Sequence, residues 1–406
     1  MPSMAADTLL AEAQDLQPEA VRLRRTLHEH PELGLDLPFT QERVLEALDG
    51  LPLTVTTGDS TTSVVATLEG ARPGPTIILR GDMDALPMHE DTGLDFASQR
   101  DDTMHACGHD LHTTMLVTAA KLLSSRQADL AGSVRFMFQP GEEGHHGAQY
   151  MLDEGLLDVS PERPVTGAFA IHVFSVLPAG LIALRGGAQM ASADQFLVTV
   201  QGKGGHASAP HNALDPIPIA CEIVQALQVF CTRTLDAFDP GVITVGRISA
   251  GTTFNVIPEV AEIQGTMRAV SARTRQQLRD GLQRVADGIA AAHGTAATVE
   301  LDPGYPVMVN DDGFAGFVLD VATDLVGDKA VARMPNPVMG SEDFSYVLER
   351  VPGAMAFLGA APKGIDPWTA PPNHSNRVAF DEDVMARGSA LYAAVALGHL
   401  GAPATT

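Results

Sequence analysis

The chain has 406 residues, of which 45% are hydrophobic and 19% are charged. Its length exceeds the roughly 250–300 residues at which a single core stops growing, so we expect two domains. Fifty acidic against 26 basic side chains give a net charge of −24, which would repel phosphate backbones and anionic membranes and so argues against nucleic acid as a partner.

The first and last parts of the chain alternate strand-like and helix-like segments. The spacing of apolar residues predicts helices over 21–30, 39–50, 111–124 (with Asp110 as N-cap), 314–326, 343–350 and 381–399. Continuous apolar runs predict strands over 63–68, 76–80, 133–139, 166–173 and 354–359. Such strands alternating with helices indicate an α/β fold, in which helices cover a large mixed sheet.

The middle of the chain has a different order of elements. Strands are predicted over 194–201, 241–248, 260–270 and 296–301, and helices over 215–233 and 272–293. This β-α-β-β-α-β order is typical of a ferredoxin-like α+β domain. We therefore predict a smaller domain, residues 188–303, that interrupts a catalytic domain formed by residues 1–187 and 304–406.

Targeting signals and disulfides are not expected. The N-terminal segment lacks the basic start and apolar run of a secretory signal, and the apolar stretches are far shorter than the roughly 20 residues that span a bilayer. We expect a cytoplasmic protein with no membrane partner. The three cysteines, Cys107, Cys221 and Cys231, are an odd number in a long chain, which argues against a disulfide framework.

Several short segments with metal-binding side chains follow predicted strands or precede a helix. Cys107 and His109 are two residues apart, so an extended backbone would put both side chains on one face. A thiolate and an imidazole suit zinc or a similar transition ion. Alone, such a pair is a weak indication of a metal site.

Two adjacent glutamates, Glu142 and Glu143, close the strand 133–139. At a strand end the two carboxylates point in different directions, so one could bind a metal while the other faces a water molecule. The alternative is a solvated acidic turn. Likewise His172, near the end of strand 166–173, could be a hydrogen-bonded core residue, and His374 could be an ordinary loop histidine.

Taken together, the motifs resemble a known family. The chain is similar to the hippurate hydrolase and auxin-conjugate hydrolase branch of the two-metal aminoacylase and carboxypeptidase family, from about residue 20 to 395. Six ordered segments carry the resemblance: 80–87, 105–112, 139–144, 205–215, 250–258 and 340–346. Six motifs in order are much more specific than any one of them.

The resemblance implies two divalent metal ions, zinc or else manganese, cobalt or nickel. The implied ligands are Cys107, which would bridge the ions, His109, Glu143, His172 and His374. Five protein ligands overfill one tetrahedral zinc with an open position, which agrees with two ions that share a ligand.

The first motif departs from the usual family pattern. That pattern has a histidine two residues before Asp84, whereas Asp82 stands there in this chain, and the Cys-x-His pair would substitute for it. The resemblance implies that Asp84 is a carboxylate that orients His109. Its alternative role is to cap a turn.

The resemblance also assigns residues to the reaction. Glu142 would be the general base, and His206 would stabilise the oxyanion in the active site of a second subunit, which implies a homodimer. Asn255 and Arg268 would hold a substrate carboxylate, for which arginine offers a bidentate grip. Without the family, His206 is a loop histidine and Arg268 a surface arginine at a strand end.

The predicted function is hydrolysis of the amide bond of N-acyl amino acids, hippurate-like or N-acetylated, to a carboxylic acid and a free amino acid. The alternative is a dipeptidase or carboxypeptidase that uses the same two-metal site. A non-catalytic metal-binding protein would have lost the base or a ligand, and neither is missing from this sequence.

Overall fold

The structure, a computed structural model, describes residues 4–401 and separates into two units. The larger unit contains the described part of Met1–Gly187, Val309–Pro335 and Tyr346–Thr406. The smaller unit contains Ala188–Met308 and also Asn336–Ser345.

The strands, in chain order, are β1 (Leu53–Thr57), β2 (Val64–Glu69), β3 (Arg72–Asp82), β4 (Ala131–Gln139), β5 (Val165–Phe174), β6 (Ile182–Leu184), β7 (Gly187–Met190), β8 (Ser192–Gln201), β9 (Gly205–His206), β10 (Gly241–Ala250), β11 (Val256–Ile257), β12 (Val260–Ala269), β13 (Ala297–Pro303), β14 (Met308–Asn310), β15 (Val331–Arg333) and β16 (Gly353–Gly359). The helices are α1 (Met4–Asp15), α2 (Gln17–Glu29), α3 (Pro38–Leu48), α4 (His109–Ser124), α5 (Gly147–Asp153), α6 (Pro216–Thr234), α7 (Ala272–Ala292), α8 (Asp312–Val326), α9 (Ser345–Leu348) and α10 (Met385–Gly401).

The larger unit is built on an eight-stranded mixed sheet in the order β1-β2-β4-β3-β5-β16-β6-β15. Its central strands β4, β3, β5 and β16 are parallel, whereas β1 and β2 pair antiparallel at one side. Every residue of β16 is buried, because its apolar side chains are covered on both faces of the sheet. The α/β prediction with a large mixed sheet is confirmed.

The helices of this unit differ in detail from the prediction. The predicted helix 343–350 is reduced to the single turn α9, and the predicted helix 381–399 begins only at Met385, after a 3-10 turn over Glu382–Val384. Helix α4 begins at His109, so Gly108 rather than Asp110 is its N-cap. Within residues 4–401, no helix is both long and apolar enough to cross a bilayer.

The smaller unit contains a four-stranded antiparallel sheet in the order β10-β12-β8-β13. Alternate side chains of β8, including Phe196 and Val198, share a buried apolar cluster with residues of α6 and α7 such as Leu227 and Leu282. Because the chain order is β-α-β-β-α-β and the first and third strands are central, the predicted ferredoxin-like arrangement is confirmed.

Candidate metal centre

The predicted ligands come from segments that meet at one edge of the large sheet. Strands β3, β4 and β5 run parallel, so their carboxyl ends lie together, which is where open α/β sheets form their sites. Asp84 follows β3, the Glu142-Glu143 pair follows β4, and His172 stands near the end of β5.

Cys107 is the common member of two groups of potential ligands. One group contains Cys107, His109 and His172, and the other contains Cys107, Glu143 and His374. The ligand atoms within each group lie within 4.8 Å of one another. The Cys107 Sγ atom is 3.4 Å from His172 Nε2 and 3.3 Å from His374 Nε2. All five predicted ligands are therefore brought together around one sulfur.

Gly108 makes the Cys-Gly-His segment possible. Its φ of +87° lies in the left-handed region, and a Cβ atom there would come within 2.4 Å of Val173 Cγ2, so only glycine fits. The expectation that an extended backbone would align Cys107 and His109 is wrong. A tight turn into α4 brings the two side chains together instead.

The hydrogen bonds of two histidines orient their Nε2 atoms towards the sulfur. His109 Nδ1–H donates to the main-chain carbonyl of Asp84 (2.8 Å), and His172 Nδ1–H donates to the carbonyl of Val173 (2.9 Å). A bond at Nδ1 fixes the orientation of each ring, so Nε2 is the atom that it would offer to an ion. Both rings are buried.

Two buried atoms of this set are suited to a cation. Among the described residues, the buried atoms His109 Nε2 and Glu143 Oε1 make no hydrogen bond of regular geometry; His109 Nε2 is 3.4 Å from Asp82 Oδ2, and Glu143 Oε1 is 3.2 Å from His374 Nε2. Buried polar atoms without partners are costly, and both belong to the predicted ligand set. A thiol, three imidazoles and a carboxylate are also the donors that transition ions prefer. The residues present therefore fit the predicted pair of ions.

The pKa shifts of the predicted ligands also fit a cation site. Burial, and then the Glu143 carboxylate, raise the pKa of the Cys107 thiol. Contacts with the Cys107 sulfur and with Glu143, whose Oε1 is 3.2 Å from His374 Nε2, raise the pKa of His374 to about 10. Burial lowers the pKa of His172 well below its usual value. Protons on Cys107 and His374 thus occupy positions from which a cation would displace them.

Asp84 supports the glutamate pair as well as His109. Its Oδ1 accepts from the main-chain N–H of Glu142 and its Oδ2 from that of Glu143, both at 2.9 Å. The atom of Asp84 that is bonded to His109 is the main-chain carbonyl, while Oδ1 lies 3.4 Å from His109 Nδ1. The carboxylate therefore fixes the glutamate turn, a contact that the sequence did not predict.

Glu142 reaches the same cluster. Its side chain is buried, and its Oε2 lies 4.0 Å from His109 Nε2. Glu142, Glu143 and His109 also form a group with ligand atoms within 4.8 Å. The pair of adjacent carboxylates thus faces the cluster from two directions, and the structure excludes the alternative of a solvated acidic turn.

Asp82, which stands where the usual motif has a histidine, makes a buried ionic contact. Arg80 Nη1 donates to Asp82 Oδ2 at 2.7 Å, and His112 Nδ1–H donates to Oδ1 at 2.6 Å. His112 Nε2 in turn accepts from the main-chain N–H of Val173 at 2.8 Å. The sequence analysis missed this role of His112, although the residue closes the 105–112 motif.

His206 and Asn255 lie together in the smaller unit. The short strands β9 and β11 pair His206 with Val256, and the N–H of Ala207 donates to the Asn255 carbonyl at 3.1 Å. His206 is exposed, and its Nδ1 accepts from the main-chain N–H of Ser208 at 3.1 Å. This bond leaves the ring proton on Nε2, where it can be donated.

Arg268 is half-buried on β12 of the same unit. Its Nη1 donates to the Ser341 hydroxyl at 3.0 Å, and burial lowers its pKa, although a guanidinium keeps its charge in proteins. Ser341 belongs to the 340–346 motif, so this contact connects that motif with Arg268, which stands 73 residues earlier in the chain.

The chain is similar to known proteins over nearly its whole length. Residues 78–398 match Peptidase family M20/M25/M40. The N-acetylcysteine deacetylase of Bacillus subtilis is 37% identical over 93% of this chain and 96% of its own length. The hippurate hydrolase of Campylobacter jejuni is 36% identical over 97% of this chain and 99% of its own length.

A solved structure gives a corresponding result. The structure of the Bacillus subtilis YXEP protein, described as a dinuclear metal-binding peptidase of the M20 family, has a TM-score of 0.83 and 33% sequence identity. The match covers 96% of this chain and 99% of that protein.

Proposed function

The chain belongs to Peptidase family M20/M25/M40, and from that premise we propose that it is a metal-dependent amidohydrolase of N-acyl amino acids. The membership confirms the resemblance that six motifs predicted. The products would be a carboxylic acid and a free amino acid. The names of the deacetylase and hippurate hydrolase relatives support this substrate class.

The observation that carries the proposal is the position of Cys107 in both ligand groups. A single sulfur between two sets of ligands favours a pair of ions over one. Zinc suits the donors, and manganese, cobalt or nickel are the other candidates. Cys107, His109 and His172 would hold one ion, and Cys107, Glu143 and His374 the other. When bound, such ions polarise the scissile carbonyl and lower the pKa of water.

Glu142 is the general base in this proposal. Its carboxylate would take a proton from the attacking water and later pass that proton to the leaving amine. The bonds from the main-chain N–H groups of Glu142 and Glu143 to the Asp84 carboxylate fix the turn that carries both side chains. Glu143 can then serve as a ligand while Glu142 remains a base.

Substrate recognition would involve the smaller unit. The half-buried Arg268 offers a local positive charge to a free carboxylate, which a chain of net charge −24 otherwise repels. Asn255 would assist in holding that carboxylate, and His206 Nε2–H would donate to the oxyanion.

A homodimer in which His206 acts on the partner's substrate is part of the proposal. Strand β10 is an edge of the small sheet, and it exposes Val242 (42%) and Ile248 (47%). Phe254, beside Asn255, is 97% exposed. Unpaired strand edges and exposed apolar side chains favour association with another chain.

The proposal is tested by Glu142→Gln, with Glu162→Gln, an exposed glutamate, as the matched control. Glu142→Gln should keep the wild-type ion content and lose roughly 10²–10⁴-fold in kcat on N-acetyl and N-benzoyl amino acids. Ion content is measured by elemental analysis. Wild-type turnover in Glu142→Gln, or no hydrolysis of any N-acyl amino acid by the wild type, would refute the proposal.

A second candidate is a peptidase that acts on dipeptides through the same residues, which the name of the family itself favours. The two functions share the ions and the base and differ in the group that precedes the scissile amide. Parallel assays of N-acyl amino acids and dipeptides with one enzyme preparation separate them, since the preferred class has the higher kcat/KM.

A further inference from the structure

Asn373 lies directly before His374, and its side chain is bonded at every polar position. Its Nδ2 donates to the carbonyls of Cys107 (3.2 Å) and Val173 (2.9 Å). Its Oδ1 accepts from the main-chain N–H of Ser175 (3.1 Å). The Ser175 hydroxyl is 3.3 Å from the same oxygen, but its single hydrogen has a shorter contact, 2.7 Å, with the Pro371 carbonyl. Both donors of the carboxamide are used and its oxygen accepts at least one bond, and these partners fix which end is nitrogen.

These bonds connect three segments that each carry a proposed ligand. Cys107 stands in the loop before α4, Val173 and Ser175 follow His172 at the end of β5, and His374 is the next residue after Asn373. Of the three segments, only β5 is part of the sheet. The two loops therefore depend on local hydrogen bonds for their position relative to β5.

The carbonyl of Val173 is shared. It accepts from Asn373 Nδ2–H and also from His172 Nδ1–H. The bond from Asn373 thus holds the acceptor that orients the His172 imidazole. The bond to the Cys107 carbonyl holds the main chain of the residue whose sulfur is common to both ligand groups.

His374 has an unfavourable backbone conformation. Its φ of +69° lies in the left-handed region, which residues other than glycine rarely adopt. Bonds on both sides hold it there: the N–H of His374 donates to the Ala106 carbonyl (2.9 Å), and the N–H of the next residue, Ser375, donates to the carbonyl of Pro372 (3.0 Å). Strain of this kind persists only where the surroundings enforce it.

We propose that Asn373 is a positioning residue of the metal centre, which sets the affinity for the ion held by Cys107, Glu143 and His374. The inference rests on the proposed two-ion function. The other group, Cys107, His109 and His172, is buried and has two ligands on a helix and a strand, whereas His374 is half-exposed on a loop. Loss of Asn373 should therefore affect the second ion more than the first.

The test is a titration of metal-free protein with cobalt(II), followed by thiolate-to-cobalt absorption and by elemental analysis. Asn373→Ala removes every side-chain bond of Asn373, and Asn373→Leu removes them while keeping the volume of the side chain. Asn376→Ala is the matched control, because Asn376 is exposed in the same loop and the bond that it makes within residues 4–401 uses its main-chain carbonyl, which accepts from the Asp91 N–H (2.7 Å) and is kept in the variant.

Wild type and Asn376→Ala should bind two ions per chain. Both Asn373 variants should retain one ion and bind the second roughly 10- to 100-fold more weakly, as is usual when a partner of a ligand is lost. Hydrolysis should recover at raised cobalt concentration with an unchanged substrate KM, which a folding defect would not allow.

Two results would overturn the inference in distinguishable ways. Equal affinities for both ions in wild type and Asn373 variants would refute the role of Asn373 alone, and failure of the wild type to bind two ions would refute the proposed function with it. Should neither Asn373 variant fold, Asn373→Asp keeps the shape of the side chain and an acceptor for the Ser175 N–H but cannot donate to the carbonyls of Cys107 and Val173, and it should weaken the second ion in the same direction. Unchanged binding in Asn373→Asp would then refute the role of Asn373.

Discussion

The two units contribute residues to one proposed reaction, but these residues differ in burial and in the bonds that fix their side chains. Cys107, His109 and His172 are buried, and their orientation is fixed by bonds to main-chain carbonyls and by a tight glycine turn. His206 and Asn255 are exposed at a short two-stranded ribbon, and the bonds described for them are to residues of that ribbon and its flanks.

The two parts of the proposed site therefore obtain their geometry in different ways. A metal centre must hold its ligands at fixed distances before any ion arrives, so the chain itself supplies every constraint. A group that contacts substrate can be completed by the substrate or by a second chain. Substitutions in the larger unit should therefore change ion content, and those in the smaller unit should change catalysis without changing ion content.

The sharpest test of this distinction is Cys107→Ala. Because the sulfur belongs to both ligand groups, the variant should lose both ions and fall below detectable hydrolysis. Elemental analysis after dialysis measures the ions. Cys221 is exposed, so Cys221→Ala is the matched control and should keep both ions. Full ion content in Cys107→Ala would contradict the sharing of one sulfur.

A smaller effect is expected from Asp84→Asn. The amide can accept from only one of the two N–H groups of Glu142 and Glu143, and its NH₂ would face the other. We expect kcat to fall roughly 10- to 100-fold, as for other residues that orient ligands. A lower affinity for the ion held by Glu143 should accompany the loss. If kcat and ion affinity both stayed at wild-type values, the carboxylate would have no part in positioning the pair.

The His206 contribution is tested by subunit exchange. His206→Ala should keep its ions and lose most activity, and an equal mixture with inactive Glu142→Gln should recover activity. If subunits exchange at random in a dimer, about a quarter of the wild-type activity is expected, because half of the dimers are mixed and each has one complete site. No recovery after confirmed exchange would show that His206 does not act across subunits.

The mildest effect concerns the stability of the smaller unit at low pH. Buried Asp194 accepts bidentate bonds from Arg275 and Arg279 at 2.7–3.1 Å. Burial opposes ionisation, yet these two arginines keep the pKa of Asp194 below its ordinary value. The folded-state pKa is thus lower than the unfolded one of about 3.9. Its contribution is present above about pH 4 and is lost as the pH falls through the folded-state pKa.

Denaturant unfolding between pH 3 and pH 7 measures this contribution. Asp194→Asn should reduce the free energy of unfolding most at pH 7 and flatten its fall towards pH 3. Ion content of the larger unit should stay unchanged at pH 7. An identical pH profile for wild type and Asp194→Asn would show that ionisation of Asp194 does not contribute to the stability of the smaller unit.

Much of this arrangement could be predicted from the sequence, and there is a physical reason why the other contacts could not. Residue type made Cys107, Glu143 and His172 candidate ligands, because ligand chemistry demands particular side chains, and the resemblance carried by six motifs singled them out as one set. The contacts of Asn373, His112 and the Asp84 carboxylate were missed. Amides and carboxylates have many possible partners, so their role depends on which main-chain groups the fold brings near, and sequence order does not give this.

Local structure shows the same limit. The apolar pattern predicted helix α4 but placed its start at Asp110, because aspartate is a good N-cap. In the structure Asp110 is buried and pairs with Arg24 at 2.7 Å and His28 at 2.8 Å. The Asp110 side chain thus forms long-range ion pairs and does not cap the helix, contrary to what its local propensity had predicted.

In the proposed two-ion centre, the single sulfur is also the atom through which an oxidant would reach both ions, because an ion-bound sulfur is a thiolate whereas burial raises the pKa of the ion-free thiol. Thiolates react with peroxide far more readily than thiols do, and conversion of Cys107 to a sulfinic acid would damage the coordination of two cations in one chemical event. Inactivation by oxidation should accordingly follow one exponential, with ion release and loss of turnover advancing together.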